Sequence, residues 1–489
     1  MLTTKLRAVS RFLWALVLIS LPVTSFRYFP FLGKETMVRP LAFFPLALLV
    51  VVLTWRILRG DLRPRLNSSL VLLGLFLAAA AAATAWGWSF GMIPMHGQNF
   101  CGRAIRAVIT LLGGLVFFLS VIFMNQDEDD VRFTLRWMYA GLAVSVLWSG
   151  LQMIAYLTGT PPIETLSQIQ KTFSTRRLLD KARVAGFAFE PSWLANQLAV
   201  VYLPWLTAAL FSGYRVFKRR WLEPLLLAAV LVTLLMTFSR GGILMSAAAI
   251  LITFILTQGR RMKSWLAWFT HPFRAGSLRQ RVVSLSVRIA TAAAAISVLV
   301  GAFLVLSTND YFAKLWRSTQ RGSIVEYVID NYAGPRLGYA VAGWEIYTEH
   351  PLTGIGLGAS GMQIYDHIPD WADPLASEIS GQLTTKSWVY PNPKNLYIRL
   401  LAETGLIGFT LYLLFWLSIL GLVIRWLGKS AGVGRFVGIA GLFLWFVLIM
   451  FNFTQDSFID PNQWIGIGIL LGLTLAGNFS SKQTAELPE

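Results

Sequence analysis

The sequence predicts an all-α polytopic membrane protein of about twelve transmembrane helices with a large periplasmic loop. Three observations predict it. Of 489 residues, 55% are hydrophobic and only 13% charged, more apolar sequence than a water-soluble domain needs. Apolar runs of about seventeen residues or more recur along the chain, long enough to cross a bilayer. The basic residues gather in short clusters between those runs, as the positive-inside rule expects.

The predicted spans lie at roughly 10–25, 39–56, 68–87, 104–124, 135–157, 187–212, 221–238, 241–258, 285–306, 396–424, 437–453 and 463–478. The first run, from Phe12, follows Lys5, Arg7 and Arg11 like a signal peptide. No small-residue cleavage site follows it, so it reads as a retained helix. The tenth is long enough to start along the interface and turn inward at Gly405. Cys101 is the single cysteine, which excludes an internal disulfide; near a span end it packs as a small hydrophobe. The clusters Arg56/Arg59/Arg63/Arg65, Arg215/Lys218/Arg219/Arg220, Arg260/Arg261/Lys263/Arg274/Arg279/Arg281 and Arg425/Lys429/Arg435 fall on one side when twelve spans are threaded. That side is expected to be cytoplasmic, with both termini and the acidic Asp127–Asp130 run. The net charge of +18 is therefore a topology signal and not a nucleic-acid footprint. Three units result: spans one to nine (1–306), a periplasmic loop domain (307–395), and the last three spans with a short cytoplasmic tail (396–489).

The loop is the exception in a chain of spans. It carries five basic and nine acidic residues before Lys394, many aromatics and little low complexity, so it reads as folded. It ends in Pro391-Asn-Pro-Lys-Asn-Leu-Tyr-Ile-Arg-Leu-Leu-Ala-Glu-Thr-Gly405. A helix from Lys394 would place Asn395, Arg399 and Glu403 on one face, a polar stripe entering the membrane where the loop ends. A structural role is favoured for that stripe.

Few other residues point to chemistry. Arg183, Arg240 and Arg336 lie within or beside apolar sequence on the expected outer face. An arginine near the hydrocarbon boundary is costly unless it snorkels or meets an anion. Arginines converging on a pyrophosphate would make bidentate, charge-assisted bonds without a metal. Glu190 falls just inside the sixth span, before Pro191-Ser192. Such a carboxylate is a functional candidate with Arg183 as partner, or else a helix cap or structural ion pair. Gly354, Gly356 and Gly358 follow a helical pattern, so they serve turns and close packing, not a dinucleotide. The four histidines, His96, His271, His350 and His367, lack metal-ligand spacing. There is no phosphate-binding loop, zinc motif or serine elbow. The energy for a reaction on this face must arrive with the substrate.

Together these motifs resemble the O-antigen ligase / O-antigen polymerase superfamily of bacterial inner-membrane glycosyltransferases. The residues that carry the resemblance are Arg183 with Gly186-Phe187 and Pro191; Ser239-Arg240-Gly-Gly; Arg336 before Trp344; His350-Pro-Leu-Thr-Gly-Ile-Gly-Leu-Gly358; and Asn395-Leu-Tyr-Ile-Arg399 through Glu403 to Gly408. The resemblance implies a helical membrane bundle of the GT-C type. It implies an undecaprenyl-pyrophosphate-linked glycan as donor, a glycan acceptor, and neither metal nor cofactor. Arg183, Arg240 and Arg336 would hold the pyrophosphate. Chain-length regulator and export proteins are the partners it suggests. Ligases carry a histidine just before the asparagine of the tenth-span motif, proposed to activate the acceptor hydroxyl; this chain has Lys394 there. Lysine is a poor base unless its pKa falls, so its more natural part is a fourth cation on the pyrophosphate. That departure, with the Phe189-Glu-Pro-Ser-Trp-Leu-Ala195 stretch, favours a polymerase. Glu190 is the candidate base or acceptor-positioning residue, and Lys394 the rival. The alternatives are a ligase that moves the glycan to a lipid A core and, from another class, a lipid-linked-sugar flippase. A transporter should show internal repeats and mid-span ionisable residues. None is visible, and the polar residues cluster at outer span ends.

Overall fold

The computed structural model describes residues 2–28, 37–63, 65–175, 182–270, 278–317, 326–327, 331, 334–372, 379, 381, 383, 390–429 and 431–476. The helices are α1 (Leu2–Ser20), α2 (Phe43–Leu58), α3 (Ser68–Gly87), α4 (Phe100–Met124), α5 (Glu128–Thr158) and α6 (Ile163–Phe173). Next come α7 (Pro191–Ser212), α8 (Leu222–Met236), α9 (Arg240–Thr257), α10 (Gly259–Thr270) and α11 (Leu278–Ser307). The chain continues through α12 (Asp310–Arg317), α13 (Gly334–Glu349), α14 (Ser360–His367), α15 (Leu396–Leu427), α16 (Gly432–Phe451) and α17 (Asn462–Ala476). Among the described residues there is no strand, only isolated bridges.

A helix occupies each of the twelve stretches expected to span. Eight of them are long and apolar enough to cross a membrane: α3, α4, α5, α7, α9, α11, α15 and α16. By the same measure α2, α8 and α17 are shorter apolar helices. The expected twelve spans are thus eight spans of full length, three shorter apolar helices and α1.

The bundle is built around α7, the most buried of the eight. Its middle, Leu198–Tyr202, is a π-helical turn. Pro204 explains it: without an N–H, proline cannot donate to the carbonyl one turn back, and a wider turn accommodates the gap. Trp205 and Tyr202 are fully buried there, in one core shared with α1, α4, α5, α16 and α17. Glycines admit close approach where helices cross. A Cβ on Gly242 of α9 would sit 2.5 Å from the Ala195 Cβ of α7. A second, smaller core joins α13, α14, Ala372 and Tyr390 to Phe100 and Ala104 of α4 and Ala402 of α15. The described residues of 339–372, with Ile379 and Tyr390, are therefore packed onto the bundle and not merely tethered to it.

Contacts between helix ends sort the charges. At one end Arg11 meets Asp130 at 2.6 Å, Arg56 bonds Ser10, and Arg132 bonds both Glu128 and Tyr214. Arg65 caps the last carbonyls of α17, and Arg435 bonds the carbonyl of Thr257. Basic residues at helix C-termini complement the negative end of the helix dipole. The other end holds the 182–190 connection, the α8–α9 junction, the 307–395 connection and the 452–461 connection.

Candidate functional site

At that second end the chain fixes Arg183 by its backbone first. Val184 N donates to the Met236 carbonyl at 3.0 Å, which lays the 182–190 connection along the end of α8. Gln152 of α5 pins the next turn: its side chain accepts from Ala185 N and Gly186 N and donates to the Gly186 carbonyl. Gly186 has φ +57 and Ser149 beside it, a place where a side chain would be both strained and crowded. Arg183 Nε then donates to the Thr237 carbonyl at 2.9 Å.

Arg240 is the first residue of α9. Ser239 caps that helix by accepting from Gly242 N at 3.3 Å. The Ser-Arg-Gly-Gly sequence is thus a capped helix start. Arg240 is buried, and its Nη1 donates to the backbone and side-chain oxygens of Asn331 at 2.8 and 3.0 Å. Arg183 and Arg240 lie against one ring, that of Tyr311 on α12, with guanidinium carbons 4.5 and 4.3 Å from its centroid. Burial lowers the Arg183 pKa from its ordinary value; Tyr311 and Glu190 favour its charge, and Arg240 opposes it.

Glu190 is the N-cap residue of α7, with Pro191 at the first helical position. Its side chain makes no capping bond; instead the Ser192 hydroxyl donates to Glu190 Oε1. Five residues on from Pro191, Asn196 accepts from Asn462 at 3.0 Å, which ties α7 to the start of α17.

The polar stripe departs from expectation at its start. Lys394 has φ +50, so no helix runs through it; α15 begins at Leu396. Asn395 is the cap, its side chain accepting from Tyr397 N and Ile398 N. Arg399 and Glu403 form the expected pair at 3.0 Å, and Ser360 donates to the second Glu403 oxygen at 2.8 Å. Glu403 is 1% exposed with both oxygens engaged, an arrangement that fixes α15 against α14. Lys394 Nζ lies 5.0 Å from the Tyr339 ring centroid. The three glycines of the 350–358 turn all have positive φ, and Ile355 N and Gly356 N bond the carbonyls of Ala402 and Glu403. Gly405 breaks α15 with φ 62 and ψ −168, the turn its sequence suggested.

The 452–461 connection, which carries no motif, touches both α13 and the start of α15. Arg336, exposed on α13, donates to the Thr454 carbonyl, and Arg399 to the Asp456 carbonyl. Burial raises the Asp456 carboxyl, against the pull of Arg399 and Lys394 beside it. Asp460 accepts from Asn462 N at 3.1 Å, and burial pushes its pKa up to about 6. The structure thus joins Arg183 and Arg240 on the Tyr311 ring, with Glu190 near enough to favour the charge of Arg183, and joins Lys394, Arg399 and Glu403 around Asp456. Arg336 bonds the 452–461 connection and not the Tyr311 ring.

Residues 225–413 match the family model described as O-antigen ligase. Over that stretch, less than half of its length, the chain is similar to the O-antigen ligase family. No curated protein matches it. The matched segment contains Arg240, Tyr311, Arg336, Lys394, Arg399 and Glu403. Arg183, Glu190 and Asp456 lie outside it, brought to it by the fold.

Proposed function

We propose that this protein is a polysaccharide polymerase of the inner membrane. It extends a glycan at the periplasmic face from an undecaprenyl-pyrophosphate-linked donor onto a second lipid-linked repeat. The observation that carries the reading is the arginine pair: two buried or half-buried guanidinium groups on one ring, with the Glu190 carboxylate favouring the charge of Arg183. Paired cations in a partly dry site suit a leaving group that develops negative charge. In the reaction an acceptor hydroxyl oxygen bonds the anomeric carbon as the bond from that carbon to the pyrophosphate oxygen breaks. The lipid pyrophosphate leaves with the electron pair, neutralised by Arg183 and Arg240, with Arg336 and Lys394 as further cations. The hydroxyl proton passes to Glu190, or Glu190 orients the acceptor. Arg399, Glu403 and Asn395 hold α15 in place.

The second reading is a ligase, favoured by the description of the matched family. Purified protein supplied with lipid-linked repeat units separates the two. A ladder of lengthening glycans is the expected product. One transfer onto a lipid A core and no ladder supports the ligase, and no glycan transfer to either acceptor overturns both.

A further inference from the structure

No sequence motif marks Tyr311, yet Arg183 and Arg240 meet on it. We propose that Tyr311 is a positioning residue whose ring holds the two guanidinium groups together as one anion-binding pair. The proposal rests on the glycosyl-transfer reading only for the identity of the anion, a pyrophosphate.

Burial disfavours the charge on Arg183. Two neighbouring cations also repel, and Arg240 opposes that charge further. An aromatic face attracts a guanidinium through the ring quadrupole, and more strongly where water is excluded. The Tyr311 ring thus offsets the repulsion for both arginines at once. The anchors on either side are polar: Arg183 is bonded to the Thr237 carbonyl, three residues before Arg240. Arg240 is bonded to Asn331.

The same helix reaches Arg240 by a second route. The Tyr327 hydroxyl donates to the Leu315 carbonyl of α12 at 2.8 Å. Asn331 donates from its backbone and side chain to the Tyr327 carbonyl at 3.1 and 2.9 Å, and its oxygens accept Arg240. So α12 grips Arg240 through the Tyr311 ring and through the Tyr327–Asn331 relay. Its own seat is fixed by buried Phe312 and Ala313. The arginines come from the bundle, whereas Tyr311 and Asn331 come from the 307–395 connection. Docking of that connection completes the pair.

The experiment uses full-length protein in lipid nanodiscs, with inorganic pyrophosphate as ligand and phenylglyoxal as an arginine reagent read by mass spectrometry. Tyr311→Phe keeps the ring and should match the wild type in affinity and in the modification rates of Arg183 and Arg240. Tyr311→Leu should weaken pyrophosphate binding by about tenfold or more and speed modification of both arginines. Asn331→Ala should speed modification of Arg240 alone, and it carries the test if the leucine variant does not fold. A merely structural residue would lower the thermal midpoint without selective exposure of these two arginines. Wild-type affinity and modification rates in the folded leucine or alanine variant overturn the proposal, as does a loss of affinity in Tyr311→Phe. Glycan synthesis at the wild-type rate in Tyr311→Leu sinks the pair and leaves the polymerase standing. Tyr311-dependent pyrophosphate binding by a protein that makes no glycan does the reverse.

Discussion

Position 394 and position 190 compete for the same chemical task. A general base raises the rate by a factor of roughly 10² to 10⁴ when it takes a proton in the transition state. Lysine at its ordinary pKa of about 10.4 is charged at neutral pH and cannot take one. The Lys394 ammonium lies over the Tyr339 ring, placed as a cation on a π face. Glu190 is a carboxylate at the mouth of α7, near Arg183 and bonded by Ser192. Glu190→Gln keeps the shape and the acceptor for Ser192 but removes the basic oxygen. Chain extension by this variant is expected to fall by about 10²-fold or more, with its thermal midpoint unchanged. The contrasting variant is Lys394→His. A gain in rate with rising pH for Lys394→His, together with normal extension by Glu190→Gln, would move the base to position 394.

The connection from α16 to α17 is the element that sequence reasoning passed over. By sequence, residues 454–462 read as a short link between two apolar runs, and no spacing rule marks them. Its weight comes from tertiary contacts alone: Arg336 and Arg399 both bond its carbonyls, and Asn462 at its end bonds Asn196. The start of α15 was misread for a related reason. Asparagine and lysine both tolerate a helix interior, and only the left-handed backbone at Lys394 makes Asn395 a cap. The Arg399–Glu403 pair was legible, because a four-residue spacing on one helix needs no tertiary information. A carboxyl in the missed element supplies a pH test. The folded pKa of Asp460, about 6, lies above its ordinary value of 3.8. Below pH about 3 the group is protonated in both folded and unfolded chains. As pH rises through 6 the folded chain must ionise a buried carboxyl, and the stability present at low pH is lost. Asp460→Asn keeps an acceptor for Asn462 N and removes the charge. Above pH about 6 it should be more stable than the wild type by on the order of 2–3 kcal/mol, with no gain near pH 3. A gain of equal size at both pH values, read from thermal midpoints in detergent, would show that packing and not ionisation is responsible.

At the scale of the whole molecule, what the sequence made legible was the bundle. Hydrocarbon leaves no solvent for an unpaired backbone group, so a long apolar run has the helix as its one self-sufficient form. That is why a helix stands at each expected stretch. The meeting of Arg183 with Arg240 was legible only as a shared need for an anion. Tyr311 was not legible at all, since one aromatic at the start of a short amphipathic helix has many uses. The charge pattern bears on orientation too. The basic clusters that threading placed on one side are joined in space, as Arg11 with Asp130, Arg65 on the end of α17 and Arg435 on Thr257. The arginines outside those clusters that line the candidate site lie at the other end. A membrane that draws lysine and arginine to its cytoplasmic side would orient the bundle with α12, α13 and the arginine pair outside. Two exposed positions read this directly: Asp129 at the cluster end and Glu345 on α13. With Cys101→Ala as background, Glu345→Cys in intact spheroplasts should react with a membrane-impermeant maleimide. Asp129→Cys should react only after the membrane is opened. Reaction at position 129 and protection at 345 before opening would invert the protein and remove the periplasmic site, because a lipid-linked glycan on the outer leaflet could no longer reach Arg183 and Arg240.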